Sequence, residues 1–186
     1  MKLLKTYQRT CSFALLFIIS ACAVQKETVF KRGSFVDVRD GHVYKTVVIG
    51  KQVWMTENLA YTTKFGSMDY DKLPGNSKVY GKLYNYSALP DACPAGWHVP
   101  SDTEWNTMQS LLGDDISKMN FQYGGYFGSG KYSHIDEQGR LWTSTQKGFP
   151  VITRMLYRND NNIRSTENGI GLGLSLRCVK DTVILK

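Results

Sequence analysis

The chain has 186 residues, of which 23 are basic and 16 acidic, giving a formal charge of +7; 42% of it is apolar and 21% charged. That composition excludes a disordered, collagen-like or polytopic membrane chain and fits one domain with short extras. Residues 1–21 hold Lys2, Lys5 and Arg9 and no acid, so only 20 basic residues face 16 acidic ones in the remainder. This bias is too weak to point to nucleic acid.

Met1 to Arg9 form a short basic region, and Ser12 to Ser20 form an apolar run of nine residues. A membrane-spanning helix needs about 20 apolar residues, so this run is too short to be one. Basic, then apolar, then small is the pattern of an export signal. The junction Ile19-Ser20-Ala21-Cys22 resembles a bacterial lipobox. The resemblance implies cleavage before Cys22, a diacylglycerol thioether on its sulfur and an acylated amino terminus. Several acyl chains anchor stably where one does not, because each buried methylene contributes about 0.8 kcal/mol. The plainer alternative is an ordinary cleaved signal with Cys22 incidental. Ala23 follows the cysteine where an aspartate would favour inner-membrane retention. The expected address is therefore the outer membrane of a bacterial envelope, with the periplasmic or surface face left open.

Four cysteines are present. Cys11 falls in the signal and Cys22 carries lipid, which leaves Cys93 and Cys178. An even pair in an export compartment reads as a disulfide. A reactive thiol or a metal pair is the alternative. Against both, neither cysteine lies in C-x-x-C, and His42, His98 and His134 are far apart in sequence.

Residues 22–34 are polar and unpatterned and read as a lipidated tether. The globular domain is expected over 35–182, with 183–186 a short tail. His42 to Glu57 alternates like two strands around a Gly50-Lys51 turn. Tyr61 to Ser77 is rich in Gly, Asp, Lys and Thr and reads as a loop, and Tyr80 to Leu89 as the place for a short helix. Ser101 and Glu104 have the spacing of a capping box. Trp105, Met108, Leu111 and Leu112 then share one helical face, and Gly113 is placed to end the helix. Further strands are expected at Leu141 to Thr145, Thr153 to Tyr157, Asn162 to Ser165 and Leu172 to Val179, with a turn at Asp160-Asn161-Asn162. The mixture predicts an α+β fold with few helices and long loops.

Val48-Ile49-Gly50-Lys51-Gln52-Val53-Trp54-Met55-Thr56-Glu57-Asn58-Leu59 resembles the opening motif of the Fibrobacter succinogenes major paralogous domain. Tyr80 to Asn85 and Cys93 to Trp105 resemble its centre. Gly124-Gly125-Tyr126, Trp142 to Thr145 and Leu174 to Asp181 resemble its later blocks. The resemblance runs over roughly residues 35–181. The family is frequent in exported bacterial proteins and has no established activity, so it implies an architecture more than a reaction. Trp97 to Trp105 is also similar to a segment of formylglycine-generating enzymes, as is Gly173 to Arg177. That likeness implies a C-type-lectin-like fold: an irregular antiparallel sheet with one or two helices, and a last strand returning beside the first. On it, a Cys93–Cys178 bridge would pin the helix start to the last strand.

A formylglycine-generating activity needs a close pair of reactive cysteines near the C-terminus, and only Cys178 is there. A calcium lectin needs clustered carboxylate and amide oxygens. Arg158 to Asn162 reads better as a turn, and Asp69, Asp71, Asp114 and Asp115 as solvated loop charges. Gly125 to Tyr132 nearly spells a phosphate loop, but Tyr132 replaces the hydroxyl residue that holds magnesium. No metal, cofactor or catalytic residue is assigned. Glu57, Glu104, Asp136 and Glu137 are the carboxylates available to a hydrolase, with Glu104 explained by the cap and Glu57 by a strand end. Trp54, Trp97, Trp105 and Trp142 are assigned to the core. The tyrosine-rich stretches Tyr61 to Tyr86 and Tyr123 to Tyr132 hint at a binding surface. The function expected is a lipid-anchored envelope protein that binds a polysaccharide or another envelope protein, or serves a structural role. A surface-glycan hydrolase and a scaffold without small ligand are the alternatives, and whether catalysis occurs is left open.

Overall fold

The computed structural model describes residues 30–146 and 148–181. The signal and lipobox, with Cys11 and Cys22, and the expected tail at 183–186 lie outside the described residues.

The domain is α+β. Its strands in chain order are β1 (Lys31–Val36), β2 (Val43–Ile49), β3 (Gln52–Met55), β4 (Ser67–Met68), β5 (Leu83–Asn85), β6 (Trp97–His98), β7 (Gly124–Gly128), β8 (Lys131–Ile135), β9 (Gln138–Gln146), β10 (Val151–Tyr157), β11 (Arg164–Asn168), β12 (Gly173–Ser175) and β13 (Val179–Lys180). The helices are α1 (Pro74–Tyr80), α2 (Leu89–Ala92) and α3 (Asp102–Leu112), with short 3-10 turns at Tyr70–Lys72, Tyr86–Ala88 and Ile116–Met119. One sheet has the order β1-β2-β3-β13-β6; the other runs β11-β10-β9-β7-β12-β5-β4, with β8 paired to β7.

The β2–β3 hairpin forms where alternation placed it, with Ile49 opposite Gln52 across Gly50-Lys51. β1 begins at Lys31, inside the stretch assigned to the tether, and pairs along its length with β2. Its burial explains why composition missed it: every residue but one is exposed, so no alternation of apolar and polar side chains marks it. The last strand does not return beside the first. β13 lies between β3 and β6, and β1 holds the far edge.

Two apolar clusters form the core, one on each face of the strands. Adjacent residues in a strand point to opposite faces, so single strands supply both clusters. Trp54, Leu141 and Val179 join α3 and the following 3-10 turn in one cluster; Met55, Trp142 and Cys178 join Tyr44, Tyr84 and α2 in the other.

The capping box at α3 is present in both directions. The Ser101 hydroxyl accepts from the Glu104 amide, and the Glu104 carboxylate accepts from the Ser101 amide. Trp105, Met108 and Leu112 are buried, whereas Leu111 is 37% exposed at the edge of the stripe. The stretch expected to be a loop from Tyr61 contains the 3-10 turn at 70–72 and enters α1, and the helix expected near Tyr80 is split into β5, a 3-10 turn and α2. The Leu172 to Val179 strand is interrupted into β12 and β13. The near phosphate loop is a hairpin: Gly128 faces Lys131 across Ser129-Gly130. Both turn residues have positive φ, 51° and 76°, as a type I′ turn requires. Among the described residues, no helix is long and apolar enough to cross a membrane.

Candidate functional site

An open groove of about 520 Å³ runs between the 86–93 segment, β6 and the end of β9. Its geometry follows from local sequence. Pro90 sits in the first turn of α2, where a missing amide is no loss. The chain then reaches Cys93, which is bonded to Cys178 85 residues later. Pro94 accepts from the Trp97 amide at 3.0 Å, which turns the chain into β6. Leu89, Val99 and Cys93 give the groove an apolar floor, while Tyr86 and Trp97 supply its aromatic walls. Both rings are held from behind. Trp97 stacks on Phe35 with centroids 4.2 Å apart, and Tyr86 meets the edge of Trp142 at 5.4 Å. The Tyr86 hydroxyl accepts from Gln146 Nε2. Ser87, His98, Ser144 and Gln146 provide the polar rim, and among the described residues no carboxylate lines the groove.

His98 ties two elements together at that rim. Its Nδ1 lies 2.6 Å from Asp181 Oδ1 and its Nε2 2.8 Å from Glu104 Oε1. Burial lowers the imidazole pKa, but the hydrogen bonds to Asp181 and Glu104 outweigh it and hold the pKa above the usual value. Burial likewise raises the Glu104 pKa, and its bonds to Ser101 and His98 bring it below the usual carboxylate range. Glu104 is therefore more than a cap residue: one oxygen closes the helix and the other holds the histidine.

A second polar cluster lies inside the domain. Arg177 is completely buried, and its Nη1 donates to Met119 O at 2.6 Å. Its Nη2 donates to Asn58 Oδ1 and Gln122 Oε1, both at 3.1 Å. Burial depresses its pKa to about 9. The guanidinium also lies 4.6 Å from the Phe121 ring centroid. Arg154, also buried, holds Asp102 at 2.6 Å and Asn106 at 2.7 Å, fastening β10 to the start of α3. These are framework contacts rather than a ligand site. Neither arginine stood out in the sequence beyond the Gly173 to Arg177 likeness, because an isolated arginine in a strand carries no signal of burial.

The carboxylates available to a hydrolase do not gather. Glu57 lies 3.7 Å from both Lys45 and His42. Asp136 is bound to Arg158 and Tyr80, and Glu137 to His134. Glu104 serves His98. Asp69 is not a solvated loop charge: it accepts from Ser77 and from Lys82 Nζ, the latter at 2.5 Å. Asp160 accepts from the Asn162 amide and closes the expected turn. Among the described residues, no group of three His, Cys, Asp or Glu side chains is placed to hold a metal ion. Trp54, Trp105 and Trp142 are fully buried as expected. Trp97 is the exception, half-buried on the groove wall, because a two-residue edge strand covers only one side of it. Of the tyrosine-rich stretches, Tyr70 and Tyr84 belong to the core and Tyr86 lines the groove.

No curated protein and no solved structure matches this chain. Residues 47–125 match the model of the Fibrobacter succinogenes major domain. That span starts in β2, takes in the hairpin, the 86–99 groove segment and the capped helix, and ends in β7. Motifs, hairpin, capped helix and family match agree, and over residues 47–125 the chain matches a Fibrobacter succinogenes major domain.

Proposed function

We propose that this chain is a lipid-anchored protein of a bacterial envelope that binds polysaccharide in the groove between Tyr86 and Trp97. One observation carries the reading: two aromatic rings, each anchored from behind, face an open groove rimmed by hydroxyl, amide and imidazole groups. Aromatic faces pack against the CH surfaces of sugar rings, while the polar rim meets their hydroxyls. Among the described residues the groove lining holds no carboxylate, which favours binding over hydrolysis by a pair of carboxyl groups across the scissile bond. A C-type-lectin-like arrangement belongs to the same proposal, in a variant whose last strand lies beside β3 rather than beside the first strand. It draws support from the Cys93–Cys178 bridge, which joins the segment before α3 to the segment before β13.

The anchor follows from the Ile19-Ser20-Ala21-Cys22 pattern. Eight residues lie between Cys22 and Lys31, so the domain sits within about 30 Å of its lipid. A fatty-acid probe is expected to label the chain, and labelling that survives Cys22→Ala would remove the anchor. On a glycan array, the full chain is expected to bind a subset of oligosaccharides and to lose them in Trp97→Ala with its fold intact. Turnover of a bound glycan, or binding indifferent to both Trp97→Ala and Tyr86→Ala, would overturn the groove reading.

A further inference from the structure

A second concavity, also about 520 Å³, opens beside the β7–β8 turn and shares no lining residue with the groove. Arg140 of β9 forms part of it. Its Nε donates to Gln138 Oε1 at 2.8 Å, and its guanidinium carbon lies 4.0 Å from the Tyr126 ring centroid. These two contacts orient the guanidinium plane while occupying a single donor. Arg39, Arg154, Arg158 and Arg164 each hold an aspartate. Arg140, half-buried, holds none among the described residues, so its Nη1 and Nη2 fork is left without a carboxylate. Lys131 supplies a second cation to the same concavity, and no acidic residue lines it.

We propose that this concavity binds the carboxylate of an acidic saccharide, with the Arg140 fork as its receptor. A planar, oriented guanidinium matches a carboxylate through two parallel hydrogen bonds. Two cations in a concave surface focus the field on an incoming anion. The remaining lining suits a sugar ring. Asn168 spends its Nδ2 on Thr153 and Thr166, which leaves its oxygen to accept from a hydroxyl, and Leu172 gives an apolar patch. The space is far larger than an inorganic anion needs. This site does not depend on the groove reading.

The test is calorimetric titration of the full chain with an oligogalacturonide, with a neutral oligosaccharide of equal length as control. The uronide is expected to show an Arg140-dependent binding component that the neutral sugar lacks. Arg140→Gln is expected to weaken binding about tenfold or more, and Lys131→Ala about threefold. Lys131 is exposed at the first position of β8, so that variant keeps the fold and the test remains decisive if Arg140→Gln is unstable. Raising salt from about 50 to about 500 mM is expected to weaken binding, since the Debye length shrinks severalfold. Trp97→Ala is expected to leave uronide binding unchanged. Binding indifferent to both Arg140→Gln and Lys131→Ala would overturn the proposal. Uronide binding lost only in Trp97→Ala would place the ligand in the groove and overturn this site alone. Displacement of the uronide by an equal concentration of inorganic phosphate would also overturn it, by showing a site for any oxyanion.

Discussion

Removal of the Cys93–Cys178 bridge has a magnitude that can be worked from the chain. The two cysteines are 85 residues apart. In the chain-entropy picture, closing a loop of that length removes about 15 cal/mol/K from the unfolded ensemble, or about 4.5 kcal/mol at 25 °C. Spread over an unfolding entropy of about 2.1 cal/mol/K per residue for roughly 150 residues, this lowers Tm by about 14 °C. The assay is urea unfolding of the oxidised chain, the reduced chain and the Cys93→Ala, Cys178→Ala double variant. Three results are expected together: a fall in stability of about 4 kcal/mol, a larger m value because the unlinked unfolded chain exposes more surface, and a slower folding rate with little change in unfolding rate. A loss below about 1 kcal/mol, or an effect confined to the unfolding rate, would refute the reasoning. The bridge would then act through native contacts around the buried Cys178 rather than through the unfolded state.

Arg177→Met is expected to destabilise by about 3 kcal/mol or more, since it leaves Met119 O, Asn58 Oδ1 and Gln122 Oε1 buried without their shared donor; a neutral result in chemical denaturation would contradict the role given to that cluster. Gly125→Ala is expected to prevent correct β7–β8 pairing. Gly125 has φ +62°, and a Cβ there would come within 2.3 Å of Ser133 O and 2.8 Å of Ile135 N; an unchanged melting temperature would count against it. For the His98 clasp, the folded-state pKa lies above the unfolded value. Its stabilisation is therefore full below the unfolded pKa of about 6.5 and is lost as pH rises through the raised folded value. The stability difference between wild type and His98→Gln is expected to shrink from pH 6 to pH 9, each about, and stay small because His98 and Asp181 are partly exposed. A difference that grows with pH would reverse the assignment.

Local rules were enough for the elements whose signals are local. The β2–β3 hairpin, the capped helix at Ser101 and the Asp160 turn depend on neighbours within a few residues, so periodicity and capping chemistry make them legible in the chain. The family motifs carried the same elements, and the cysteine count identified the bonded pair. What the chain could not show depends on contacts across long separations. β1 is recruited from an exposed, unpatterned segment because β2 offers it an edge. Trp97 reads as core by type, yet the two-residue β6 sits at a sheet edge and leaves its ring on a groove wall. Glu104 reads as a cap, and only folding brings His98 and Asp181 to its other oxygen. Arg140 and Arg177 look alike in sequence, since a cation's neighbours are set by packing: Arg177 is enclosed by amide and carbonyl acceptors, whereas Arg140 lies over a tyrosine ring with no carboxylate on its fork among the described residues. The order of local elements is thus written in the residues, while the grooves and the fate of each buried or half-buried charge arise only when distant strands meet.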